Sequence, residues 1–155
     1  MRELIEEWVH TDLSVVDKDA GFAPCPFAKK ALHQGKLKVV ECSDTDDLWK
    51  TVVAQCKKLT SKHSVVICIE ENAEQPYDQV EAACAVMNEW FAANKIDLWL
   101  LAFQTDFTMV FIQRLSELDD ASKKLEKMGY YKNYSKEDYI DLILTRRSKR
   151  ENGRS

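Results

Sequence analysis

The chain has 155 residues, of which 45% are hydrophobic and 31% charged, with a net charge of −4 at neutral pH. This length suits one domain that buries roughly two-thirds of its unfolded surface, and the acidic balance gives no global electrostatic reason to bind nucleic acid. No apolar run reaches the roughly 20 residues of a membrane span, the acidic start Met1-Arg2-Glu3-Leu4-Ile5-Glu6-Glu7 is unlike a cationic signal peptide, and five irregularly spaced cysteines predict reduced thiols in a cytoplasm.

Taken in chain order, Glu3 to Val9 predicts a short amphipathic helix with Leu4, Ile5, Trp8 and Val9 on one face. Leu13 to Val16 reads as a brief extended piece, and Asp17 to Gly21 as a polar turn. Pro26 suits a first helical position, which makes Cys25 the N-cap of a helix running to about His33 and burying Phe27, Ala28, Ala31 and Leu32. Gly35 stops it.

Leu37 to Cys42 is the first strand. Ser43-Asp44-Thr45-Asp46-Asp47 then supplies caps and acids for a helix from about Asp46 to Leu59. Its expected buried residues are Leu48, Trp49, Val52, Val53, Cys56 and Leu59. Val65-Val66-Ile67-Cys68-Ile69 lacks alternation, as a strand covered on both faces does. Pro76 opens a helix to about Asn94, whose buried stripe is Val80, Ala83, Cys84, Met87 and Phe91. Asp97 to Phe103 is expected to be a second fully buried strand, joined by Gln104 to Thr108 to a hairpin partner, Met109 to Ile112.

Ser116 with Asp119 resembles a capping box, opening a helix that buries Leu118, Leu125 and Met128 and ends at Gly129. Tyr130, Tyr131, Tyr134 and Tyr139 crowd the next linker, either as a stacking platform or as packing for the last helix. That helix is capped by Ser135-Lys136-Glu137-Asp138 and carries Ile140, Ile143 and Leu144. Residues 1–145 read as a single α/β domain, and 146–155 as a disordered basic polar tail. The tail's Arg146, Arg147, Lys149 and Arg150 are either a solvated end or a grip for a phosphate or acidic partner.

From Leu37 onward the order is strand, helix, strand, helix, strand, strand, helix, a thioredoxin-like element order (βαβαββα) with an N-terminal helical extension and a C-terminal helix. The crossovers imply three parallel strands, with the hairpin adding an antiparallel fourth. A ferredoxin-like α/β sandwich is the alternative. It requires a hairpin where the helix after Pro76 is predicted.

The stretch Pro24-Cys25-Pro26-Phe27-Ala28-Lys29-Lys30 holds the candidate site. A helix N-terminus with Lys29 and Lys30 nearby would favour a thiolate at Cys25, whereas a small cysteine between two prolines also suits an inert, buried helix entry. Cys42, Cys56, Cys68 and Cys84 lie on strands or apolar helix faces and read as core. No Cys-x-x-Cys or His-x-x-x-His spacing occurs, so no metal is expected, although Cys25 with His10 or His33 is a conceivable pair. His63, beside Lys62, suits a charge partner at a helix end. Neither a Gly-rich phosphate loop nor a Gly-x-Ser-x-Gly elbow is present.

Pro24-Cys25-Pro26-Phe27-Ala28-Lys29-Lys30-Ala31-Leu32, followed by Lys38-Val39-Val40-Glu41-Cys42, resembles the active-site segment of glutaredoxins. That resemblance implies Cys25 as nucleophile and, with Ala28 at the resolving position, single-thiol chemistry needing glutathione or a partner thiol. Trp8, Cys25-Pro26-Phe27-Ala28 and Val39-Val40 are also similar to the opening of an uncharacterised bacterial family, which implies no activity. Two functions are therefore expected. The first is a non-catalytic cytoplasmic binding or adaptor module for a protein or small-molecule partner, contacting it through Pro24, Cys25, Pro26, Phe27, Lys29 and Lys30 with no cofactor. The second is a single-thiol redox or thiol-transfer protein.

Overall fold

A computed structural model describes residues 2–13, 25–42, 47–59, 62–71 and 75–152. Of the extended piece expected at Leu13 to Val16, Leu13 instead ends a π-helical turn; residues 14–16, the turn at 17–21, Pro24 and residues 43–46 of the expected cap segment lie outside the described residues.

The fold is α/β, as the sequence predicts. Helices α1 (Arg2–Trp8) and α2 (Pro26–His33) precede a sheet of β1 (Leu37–Glu41), β2 (Val65–Glu70), β3 (Trp99–Gln104) and β4 (Thr108–Gln113). Helices α3 (Leu48–Lys58) and α4 (Tyr77–Ala93) are the crossovers, and α5 (Leu115–Lys127) follows β4. In space the strands stand β1-β2-β4-β3. β1 and β2 are parallel, and β4 runs antiparallel to both β2 and β3. The hairpin thus enters the sheet by its second strand, leaving β3 at the edge. α4 occupies the interval where a ferredoxin-like arrangement would need a hairpin.

The pleat sends alternate residues to opposite layers. Val65, Ile67, Ile69, Met109 and Phe111 face α1 and α2, meeting Ile5, Val9, Ala28 and Ala31. Val66, Cys68, Leu100, Ala102, Val110 and Ile112 face α3 and α4, meeting Leu48, Val52, Val80, Cys84 and Phe91. β4 is buried throughout, as a strand between two neighbours and two helical layers must be.

β3 departs from expectation. Leu100 and Ala102 are buried under α4, but Leu101 is 39% exposed and Trp99 and Phe103 are half-buried. Its outer edge is capped by α4 instead of by a strand. Asn88 Oδ1 accepts from Leu100 N–H at 2.7 Å while Asn88 Nδ2 donates to Leu100 C=O at 2.9 Å. The Tyr77 hydroxyl donates to Ala102 C=O at 3.0 Å. These bonds blunt an edge that would otherwise offer a pairing template. Asn88→Leu keeps the side chain's bulk yet strands both Leu100 groups, so urea unfolding should show a loss of about 2 kcal/mol. A loss below about 0.5 kcal/mol would mean that water replaces the amide there.

Other differences have local causes. Helix α2 ends as expected at Gly35, with φ +65, where Lys36 N–H donates to Ala31 C=O and Gly35 N–H to Leu32 C=O. α1 runs on through a π-helical turn, Val9–Leu13; Ile5 and Val9, four residues apart, are buried, and Leu4 beside them is 57% exposed. Val53 and Met128 are exposed rather than packed. Helix α5 starts before Ser116: Asp97 caps it from outside, its Oδ1 accepting from Ser116 N–H at 2.7 Å and its Oδ2 from the Ser116 hydroxyl at 2.5 Å. Asp119, expected in a capping box, is instead fully buried.

The basic tail also needs correction. Residues 136–152 form one helix in three successive parts, α6 (Lys136–Asp138), a π-helical turn (Tyr139–Leu144) and α7 (Thr145–Asn152). Ser135 caps its start by accepting from Asp138 N–H. Helix α7 packs on α4 and α5. Arg146 pairs with Asp119, Arg147 with Glu126, Arg150 with Asp120 and Lys149 with Glu89. Only residues 153–155 of the expected tail lie outside the described residues.

Candidate functional site

Why β3 is half-covered becomes clear on the α1/α2 side of the sheet. Trp99, Leu101, Phe103 and Gln113 form the floor of a cavity of about 310 Å³. The N-terminal end of α2 supplies one wall through Cys25, Pro26 and Phe27, and α5 another through Leu118, Ala121, Ser122 and Leu125. Tyr130, Tyr131 and Tyr134 close one end, and the C-terminal helix covers the top with Asp141, Leu142, Ile143 and Arg146. Three of those covering residues sit in its π-helical turn, a rare geometry that recurs at functional sites. The volume lies at the small end of the ~300–1,000 Å³ typical of small-molecule sites.

Each wall has a sequence cause. Pro26 at the first helical position fixes the entry of α2, so that Cys25 and Phe27 are presented at its start. Gly129, with φ +87, ends α5 and turns the chain so that Tyr130 N–H donates to Leu125 C=O. The tyrosines then pack on one another, Tyr130 edge-on to Tyr131 and Tyr131 edge-on to Tyr134. The Tyr131 hydroxyl is 2.7 Å from Ser122 Oγ, which accepts from Arg147 Nη2 at 2.9 Å. Glu126 binds the Tyr139 hydroxyl and, at 2.9 Å, Arg147 Nη1. The tyrosine cluster packs the last helix, as one of the two sequence readings expects, and three of its rings line the cavity.

Two buried charges lie at the top of the cavity. Arg146 is 9% exposed and Asp119 fully buried, with Nε to Oδ1 at 2.7 Å. Arg146 Nη2 and Asp119 Oδ2 have no hydrogen-bond partner among the described residues. Arg146 lines the cavity, while Asp119 stands behind it on α5.

The structure thus brings Cys25, Pro26 and Phe27 to the cavity. Lys30 points elsewhere: with Pro26, Phe27, Gln34 and Lys124 it lines a neighbouring groove of about 350 Å³ between α2 and α5. Lys29 is half-buried and lines neither hollow. His10 and His33 stand with ring centroids 6.5 Å apart, but no group of three or more metal-ligating side chains gathers among the described residues. His63 C=O accepts from Arg114 at 2.7 Å, and burial, then the cations Lys38, Lys62 and Arg114, depress the imidazole's pKa.

Burial pushes the Cys25 thiol well above the usual range of about 8.5, and the nearby N–H groups of Ala28 and Phe27 offset only part of this. Burial likewise raises Cys56 to about 11 and Cys68 and Cys84 to about 12. A raised native pKa means that the folded state prefers the thiol. The associated stability is complete below the unfolded value and is lost as pH rises through the folded value. Folded protein should therefore leave Cys25 unlabelled by iodoacetamide at about pH 8 and label it at once in denaturant. Rapid labelling of the folded chain near neutrality would show that the thiol reaches water.

Sequence reasoning missed Trp99, Leu101, Phe103 and Arg146 as cavity residues, and Asp119 as the buried partner of Arg146. A signal for the floor exists in Trp99-Leu100-Leu101-Ala102-Phe103, which is apolar at every position although it forms an edge strand. No helix among the described residues is long and apolar enough to cross a membrane. Comparison with protein-family models, with curated proteins and with solved structures finds no match to this chain.

Proposed function

We propose that this chain is a non-catalytic binding module that takes a small, mainly apolar molecule into the cavity beside Cys25. One observation carries the reading: the apolar face of β3 at Leu101 is roofed by a π-helical turn across a hollow instead of being filled by core side chains. Leu101 is 39% exposed, so apolar surface on the floor of the hollow faces water, and a ligand that covers it is favoured by the burial of that surface. All five cysteines are free thiols, which supports a reducing, cytoplasmic setting. Cys25, Pro26 and Phe27 act as wall residues.

The single-thiol alternative draws on the same place but has the opposing electrostatics. It requires a stabilised thiolate, whereas burial favours the protonated form at Cys25. The thioredoxin-like likeness rests on the succession of elements alone and supplies an analogy, with no chemistry attached.

A chemical-shift titration with indole, a neutral aromatic probe, tests the binding reading. Saturable shifts are expected at the backbone amides of Cys25, Leu101, Tyr130 and Ile143. They should be absent in Leu101→Trp, which fills the floor. Failure of indole to saturate those signals in the natural chain, or equal binding by Leu101→Trp, would end the proposal. Fast alkylation of Cys25 near neutrality would move the balance to thiol transfer.

A further inference from the structure

We propose that the molecule held in this cavity is a neutral aryl carboxamide or lactam, and that the side-chain amide of Gln113 is the group that recognises it. The inference rests on the binding reading above and adds the chemistry of the ligand's polar end. Gln113 ends β4 on the cavity floor, between Val65 of β2 and Trp99 of β3. It is 3% exposed, and its side-chain amide forms no hydrogen bond among the described residues. Buried polar side chains are nearly always bonded, so an unpartnered amide here calls for a cause. Unlike Asp119 Oδ2 and Arg146 Nη2, the amide oxygen and nitrogen of Gln113 are not sealed off, and the hollow that the residue lines lies beside them.

The surroundings of Gln113 narrow the class. Of the other buried polar residues in the lining, Ser122 is engaged with Tyr131 and Arg147, and Arg146 with Asp119. Gln113 alone among them offers both a donor and an acceptor with neither taken. Its Oε1 accepts and its Nε2 donates along one edge of the amide. A primary carboxamide or a lactam presents the complementary donor and acceptor side by side, so two parallel bonds form. An apolar head would expel water from the amide and leave both its groups unpaired, which the site rejects. An ionised head fares no better. Gln113 is uncharged and the buried Arg146 already has a counter-charge, so an ion would lose hydration without gaining a partner. The ligand's body meets aromatic and aliphatic surface at Phe27, Trp99, Leu101 and Phe103, which suits an aryl ring.

Three planar probes of one shape decide this: benzamide, acetophenone and benzoate, followed by chemical-shift titration of the full chain near neutral pH. Acetophenone keeps the carbonyl and replaces the amide nitrogen by a methyl group, and benzoate replaces the neutral head by an anion. Benzamide should bind about tenfold more tightly than either, since only it satisfies both groups of the buried amide. Gln113→Met keeps the length of the side chain and removes both bonding atoms, and should bring the benzamide-to-acetophenone ratio to about one. If that variant does not fold, the natural chain supplies a second readout. The side-chain amide protons of Gln113 should move downfield with benzamide as the ligand's carbonyl accepts from them, and protons that stay put at saturation would overturn the assignment. Equal binding of benzamide and acetophenone, tightest binding of benzoate, or a ratio unchanged in Gln113→Met would likewise overturn it while leaving the cavity reading intact. If none of the three probes produces saturable shifts at the cavity, the cavity reading itself fails.

Discussion

Asp119→Ala is expected to lower stability by roughly 3–5 kcal/mol, because it leaves the Arg146 guanidinium buried without its counter-charge. Asp119 is fully buried and Arg146 is 9% exposed, so water cannot screen the loss. For a domain of this size that corresponds to a drop in Tm of roughly 10 °C. The pair's own net worth is much smaller, since two charges had to be desolvated to form it. Asp119→Leu with Arg146→Met should therefore recover most of the deficit. Asp120→Ala supplies the contrast. Its partner Arg150 is mostly buried, but the Asp120 side chain is 64% exposed, and its removal should cost no more than about 1 kcal/mol. Thermal melts of the four proteins test this directly. An Asp119→Ala loss as small as that of Asp120→Ala would mean that α7 lifts off to hydrate Arg146, as the frayed tail expected from sequence would allow.

That contrast also shows what a sequence can and cannot reveal here. Helix α2 was legible to the residue because its signals are local: Pro26 sets its first turn and Gly35 adopts the left-handed conformation that ends it. The strands were legible from apolar runs, and the α/β class followed from their alternation with helices. Their lateral order was not, since nothing local in Trp99–Gln104 or Thr108–Gln113 says which strand of the hairpin meets β2. That single choice made β4 central and β3 an edge, and the open side of β3 became the cavity. Arg146 to Arg150 looked like a solvated run because the acids that pair with it lie on α5 and α4, many residues away in sequence. Asn88 was hidden for a different reason: it lies on the buried stripe of α4 between Cys84 and Phe91, a position where a polar residue makes sense only once the edge of β3 is seen beside it. Cys25 was found from its flanking prolines, yet its surroundings come from β3, α5 and the C-terminal helix, and its burial favours the inert reading of the two that the sequence left open.

Phe111→Ala is expected to produce a loss of similar size, about 3–5 kcal/mol, by a purely apolar route. Phe111 is fully buried at the centre of β4, opposite Ile67 on one side and Leu101 on the other. Its ring lies 4.7 Å from that of Phe103 and 6.5 Å, nearly perpendicular, from that of Trp8. Trp8 also meets Phe103 edge-on, so the three rings join the N-terminal helix to the floor of the cavity. Truncation removes the partner on which Trp8 rests, and amide exchange at Ile5 and Val9 should accelerate more than the global loss requires. Phe111→Leu refills most of the volume and should cost no more than roughly 1.5 kcal/mol, with those amides still protected. The void left by alanine also lies next to Phe103 and Leu101, so it extends the ligand cavity inward. Phe111→Ala should accept a bulkier aromatic probe than the natural chain does, such as a naphthyl in place of a phenyl group. A truncation costing under about 1 kcal/mol would mean that the surrounding layers collapse onto the gap. In that case the cavity's size would reflect loose packing of this face, and the retained hollow would lose its meaning as a binding site.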